Sequence, residues 1–143
     1  MPASRAESPS PALPPAYVDF LERFAGGRFW EAHEVLEGAW RDGRSGFYKG
    51  LILLASAWVH VGRGNARGVA AQLRKAEREL APYAPAYLGQ DVDRLIALAR
   101  AGAARASSLE GASPRDWADA LPPPDLTPRP DLFRGDEPEL TAG

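Results

Sequence analysis

Cysteine is absent from these 143 residues, and that absence removes disulfides, thiolate catalysis and cysteine-ligated zinc together. Histidine is scarce too, with two copies. Long hydrophobic runs are missing: the longest, residues 50–61, is broken by Ser56 and His60 and is shorter than the roughly 20 residues that cross a bilayer as a helix. The opening Met-Pro-Ala-Ser-Arg-Ala-Glu lacks the apolar core of a signal peptide. No stretch alternates apolar and polar residues as a half-buried strand does. A cytoplasmic, all-α protein with no membrane partner is therefore expected.

Proline and charge divide what is present. Twelve of the 14 prolines lie outside residues 16–107, and that middle stretch suits one core of about 93 residues. Residues 15–107 carry 13 Lys/Arg against 10 Asp/Glu, whereas residues 108–143 carry 3 against 8. A weakly basic body with an acidic tail does not make a nucleic-acid binder. The expected organisation is a disordered segment at 1–14, a helical domain at 15–107 and an acidic, proline-rich tail at 108–143 that is extended and linker-like. Within that tail Trp117, Leu121, Leu126, Leu132 and Phe133 are apolar enough to dock locally.

Periodicity places five helices in the domain, forming a compact bundle with flexible termini. Pro15 suits a first helical position, and Tyr17, Phe20, Leu21 and Phe24 form a stripe that Gly26-Gly27 ends. A second helix runs over 29–41. The third, about 47–62, is apolar almost all the way round, with Lys49, Ser56 and His60 as its one polar stripe, and so belongs at the centre. Asn65 reads as the N-cap of a fourth helix over 66–80, and a fifth spans about 91–106.

Chemistry concentrates in the second and third helices. In Phe29 to Arg41, His33, Glu37 and Trp40 fall on one side of a helix, and Glu34 and Arg41 lie on the next strip. A zinc-protease helix needs His-Glu-x-x-His, and here the fifth position is Glu37, so that motif fails. Paired Glu-x-x-His motifs of di-iron bundles are missing as well. Ser56 stands one turn before His60, with no carboxylate nearby in sequence to orient the ring as a base. Three readings of His33, Glu37 and His60 stay open: a hydrogen-bonded network holding two helices in register, a small polar ligand pocket, or a divalent-metal site of two imidazoles and one carboxylate. Arg63, Arg67, Arg74 and Arg78 near the start of the fourth helix read as a solvated face, with anion binding as the alternative.

The run Gly27-Arg28-Phe29-Trp30-Glu31-Ala32-His33-Glu34-Val35-Leu36-Glu37, then Trp40, Gly50-Leu51-Ile52, His60 and Arg63-Gly64-Asn65, resembles a small bacterial family catalogued as domain of unknown function 309. The resemblance covers about residues 16–100. It implies a compact all-α fold of about five helices that associates as homodimers, and it implies no activity. The preferred function is a non-enzymatic binding or interaction module, with a site between the second and third helices formed by His33, Glu34, Glu37, Trp40, His60 and Arg63. Its rival is a metal-dependent hydrolase or oxygenase with His33, Glu37 and His60 as ligands and Glu34 as general base.

Overall fold

A computed structural model describes residues 13–141, so the expected N-terminal disorder falls almost wholly outside the described residues. Helix α1, Pro15–Ala25, begins on a proline whose missing N–H would have had no partner in a first turn. Gly27, at φ +78°, turns the chain away from it. Helix α2, Phe29–Gly43, ends at Arg44 in the left-handed region. Helix α3, Gly46–Gly62, is capped by Ser45, whose Oγ accepts the Tyr48 N–H at 3.2 Å. Helix α4, Ala66–Leu80, is capped by the side chain of Asn65, which accepts the Gly68 N–H at 3.0 Å. Helix α5, Val92–Ala106, is capped in the same way by Asp91, at 3.0 Å from the Arg94 N–H. Each cap satisfies a donor that the first turn of a helix leaves unpaired. All five expected helices form, within about two residues of their sequence boundaries.

Helix α3 is the axis of the core, because only the narrow stripe of Lys49, Ser56 and His60 is fit for water. Ten of its 17 residues are buried, including Phe47, Leu51, Leu54 and Trp58. Helix α2 packs on one side of it and α4 on another, while α5 lies on α4. Gly50 allows the close approach of α4: a Cβ at that position would sit 2.5 Å from Leu80 Cδ2. Helix α1 adds a layer of rings. Tyr17 stacks on Tyr48 with centroids 6.2 Å apart, and Phe24 meets Trp58 edge-on at 6.4 Å. Among the described residues no helix is long and apolar enough to cross a membrane.

Two features depart from the sequence reading. The first is a short antiparallel pair, β1 Ala86–Tyr87 and β2 Gln90–Asp91, between α4 and α5. Its two-residue turn, Leu88-Gly89, has φ of +48° and +82°. Such turns favour Asn-Gly or Gly-Gly, and leucine at positive φ is unusual, so the sequence carries no hairpin signal here. Tertiary contacts hold Leu88 in place. Its side chain is fully buried, its carbonyl accepts the Tyr17 hydroxyl at 2.7 Å, and its N–H donates to Glu137 Oε2 at 2.9 Å.

The second departure is the tail. Residues beyond 108, expected to be extended and linker-like, instead lie on the helical body to the end of the described chain. They form α6, Pro114–Ala120, and a last turn α7, Pro138–Thr141. Trp117 and Leu126 are buried in the main core, and the Leu121 carbonyl accepts the Trp58 indole N–H at 3.0 Å. Average composition hides this, because a few well-spaced apolar anchors suffice to fix a proline-rich strand on apolar surface that the five helices leave open.

If the tail is part of the fold, Trp117→Ala should cost about 3–5 kcal/mol, as large-to-small changes at buried aromatics do, and lower Tm by roughly 10 °C or more. Thermal melts followed by circular dichroism check this. A Tm unchanged within a degree would mean the tail does not stabilise the body.

Candidate functional site

On α2 the spacing i, i+3, i+4, i+7 lines up Trp30, His33, Glu34 and Glu37 along one stripe, while Ala32 and Leu36 on the opposite side enter the core. His33 sits at the edge between the two, with its side chain 18% exposed. The Trp30 ring stacks on the imidazole, centroids 5.3 Å apart and planes 7° from parallel. Trp30 itself is 57% exposed, and it is the one large hydrophobic side chain so exposed among the described residues.

The ligand-bearing atoms of His33, Glu34 and Glu37 lie within 4.8 Å of one another. His33 Nδ1 is buried and makes no hydrogen bond, although Glu34 Oε2 stands 3.4 Å away. That contact is an electrostatic approach without hydrogen-bond geometry. Glu37 meets Arg41 one turn on, at 3.5 Å. Glu34 has no Lys or Arg within 4 Å among the described residues, whereas neighbouring Glu31 is shared by Arg23 and Arg28. One imidazole nitrogen and two carboxylates therefore face the same small volume, and Glu34 lacks a cationic partner.

Of the other expected members, Trp40 stands one turn beyond Glu37 on α2, while His60 and Arg63 belong to a different junction. His60, near the end of α3, is not in this cluster, so the expected trio of His33, Glu37 and His60 does not come together as one ligand set. Its Nδ1 stands 3.1 Å from Asn65 Nδ2 and packs so closely against α4 that a Cβ on Gly68 would approach it to 2.6 Å. The Asn65 carbonyl oxygen is already engaged with the Gly68 N–H, so its amide nitrogen is the group that faces His60 and donates. His60 thus belongs to the α3–α4 junction. Arg63 is exposed at the same junction, where its N–H donates to the His60 carbonyl at 3.1 Å and closes α3. Trp40 is half-buried, with the Arg44 guanidinium 4.8 Å and the Lys49 ammonium 4.5 Å from its ring centroid.

A hollow of about 520 Å³ does open between the start of α2 and the end of α3. Phe29, Trp30, Glu31, Trp58 and Val59 line it, and neither histidine does. A polar node also forms that sequence reasoning missed. Buried Gln90 donates to the Tyr17 hydroxyl at 3.0 Å and to the Leu126 carbonyl at 2.6 Å, and the fully buried carboxylate of Glu137 accepts from Leu88. Burial would raise the Glu137 pKa, but the N–H groups of Arg134, Leu88 and Gly135 hold it below the usual carboxylate range. No short motif announces these residues, because their partners come from 36 to 73 positions away.

The His60 environment has a pH consequence. Desolvation first, and Arg63 second, lower its pKa below the ordinary 6.5. The unfolded chain then binds a proton where the folded chain does not, so stability is full above the unfolded pKa and falls as pH drops below about 6.5 toward the lowered folded value. His60→Gln should flatten the decline of Tm between pH 7.5 and 5.5 relative to the unaltered protein. An identical slope in both would show that His60 does not carry this dependence.

No curated protein and no solved structure matches this chain. The family model described as Domain of unknown function (DUF309) matches residues 17–72, a span that runs from α1 through α2 and α3 into the first half of α4 and holds both histidines. Over that span the chain is similar to the DUF309 family.

Proposed function

We propose that this domain is a non-catalytic binding module whose site is the His33–Glu34–Glu37 stripe of α2, and that it takes a divalent transition-metal ion, with the exposed face of Trp30 as the wall beside it. The observation that carries this reading is a His33 ring nitrogen gathered with the Glu34 and Glu37 carboxylates within 4.8 Å, on an imidazole whose buried Nδ1 makes no hydrogen bond. One imidazole and two carboxylate oxygens suit zinc, manganese or ferrous iron, and a single surface helix leaves the remaining coordination positions to water or to a partner's side chain. That openness favours a module that presents an ion over one that encloses it.

The rival reading, a metal-dependent hydrolase or oxygenase, loses support on two counts. His60 is engaged at the α3–α4 junction, away from the cluster. Glu34, cast as general base, is itself among the ligands. Association as a homodimer and a cytoplasmic location remain part of the same proposal, resting on family resemblance and on composition.

Calorimetric titration of the purified protein with Zn²⁺ or Co²⁺ should show saturable one-to-one binding. His33→Ala or Glu37→Gln should weaken it at least tenfold, about 1.4 kcal/mol or more, while His60→Ala should bind as the unaltered protein does. In metal-free buffer Glu37→Gln should leave Tm within about 2 °C, since a half-exposed pair with Arg41 is worth little. Binding that is absent at millimolar ion, or that His60→Ala abolishes equally, would remove the proposal. A drop of many degrees in Tm without metal would reassign the cluster to a structural network.

A further inference from the structure

The last described residues are held differently from the rest of the tail. Trp117 and Leu126 are anchored by apolar burial, but among residues 134–140 only Glu137 is buried. From Arg134 onward the body is gripped mainly through polar groups, with half-buried Leu140 as the one apolar contact on the core. Glu137 Oε2 accepts the Leu88 N–H of the hairpin at 2.9 Å. Glu139 uses both oxygens: one accepts the Tyr87 hydroxyl and the other the Ser45 hydroxyl, each at 2.5 Å. The Arg134 guanidinium donates to the Ala84 carbonyl at 3.1 Å and lies 5.5 Å from the centroid of the Tyr87 ring.

The body's side of this contact is built, and its parts come from elements fixed for other reasons. Ser45 Oγ already accepts the Tyr48 N–H as the cap of α3, so its own O–H is the group left to point at Glu139. Tyr87 is held in β1, its ring packed edge-on against Tyr83 at 4.7 Å and tilted against Phe47 at 4.8 Å. The Leu88 N–H sits in a buried turn and Glu137 is its one acceptor among the described residues, so the surface calls for an acceptor there whether or not this tail supplies it. Together, a backbone N–H, two hydroxyls and a carbonyl are spaced for a chain bearing a guanidinium followed by carboxylates three and five residues later.

We propose that the Ser45–Tyr87–Leu88 surface is a receptor for acidic peptide segments of this pattern, and that residues 134–141 occupy it in cis as an exchangeable latch. The partner it fits is an arginine-led peptide with two carboxylates at those spacings. Charge-assisted hydrogen bonds give the contact its direction, and the scarcity of apolar burial lets the segment leave without unpacking the core. This surface is made of α3's first turn and the hairpin, so the proposal stands independently of the α2 stripe.

The probe is a fluorescein-labelled peptide of residues 134–143, titrated by anisotropy against the full chain and against the full chain carrying Glu137→Gln and Glu139→Gln. The double variant, its own latch weakened, should bind the peptide at least tenfold more tightly than the unaltered protein. A peptide with glutamine at both acidic positions should bind neither. Equal affinity for the two proteins, or binding that survives in the glutamine peptide, overturns the proposal. Hydrogen exchange on the unaltered protein gives a reading that needs no variant to fold. Amides of residues 134–141 should exchange at least ten times faster than those of α3, as a unit that detaches alone. Exchange in step with global unfolding overturns the latch.

Discussion

A helix with no more than a narrow polar stripe governs the architecture. Helix α3 has apolar side chains around almost its whole circumference, and exposing any side of it forfeits roughly 25 cal/mol for each Å² of apolar surface left in water. It must therefore be covered from every direction. Helices α2 and α4 supply two walls, the rings of α1 a third, and the tail closes what remains near Trp58 through α6 and the carbonyl of Leu121. The other helices are amphipathic in the ordinary way, with α4 the clearest case: Val69, Leu73, Ala76 and Leu80 face in, while Arg67, Arg74, Lys75, Arg78 and Glu79 face out.

A second constraint follows from closing the core with a hairpin instead of another helix. The turn at Leu88-Gly89 carries a leucine in the left-handed region, which a free chain would avoid. Three long-range contacts over-determine it: the Tyr17 hydroxyl on its carbonyl, Glu137 on its N–H and the core around its side chain. Gln90 extends the same network to Leu126. The start of the helical body is thereby tied to the tail through buried polar groups that have partners. Burial holds the Tyr17, Tyr48 and Tyr87 phenols well above their ordinary range, and the nearby Glu139 carboxylate adds to this.

The two histidines show how much of a site one helix reveals. The wheel for α2 put His33 and Glu37 on one side of the helix and Glu34 on the next strip, and the fold gathers ligand atoms of all three within 4.8 Å. The placement of Asn65 as a cap was equally local, and it holds. Pairing His33 with His60 required something else, namely the rotation of α2 and α3 about their axes and the angle at which they cross. Side-chain packing along the whole interface sets those quantities. His60 turned toward α4, where Gly68 leaves room for its ring and Asn65 donates to it, and no pattern within α3 could have signalled that.

What the order of residues determined unaided was everything governed by neighbours within about five positions: five helices and their limits, the caps, the apolar girth of α3, the stripe on α2 and the stretch that resembles a known family. What only the folded chain decided was everything requiring residues far apart to meet: the hairpin held open at Leu88, the burial of Trp117 and Glu137, and the separation of the two imidazoles. The reason is that helical periodicity is a property of the backbone itself, whereas long-range contacts depend on which apolar surfaces are left uncovered once the helices exist. A proline-rich, acidic tail looks solvated by its average composition. It becomes part of the protein because a few of its side chains find that uncovered surface.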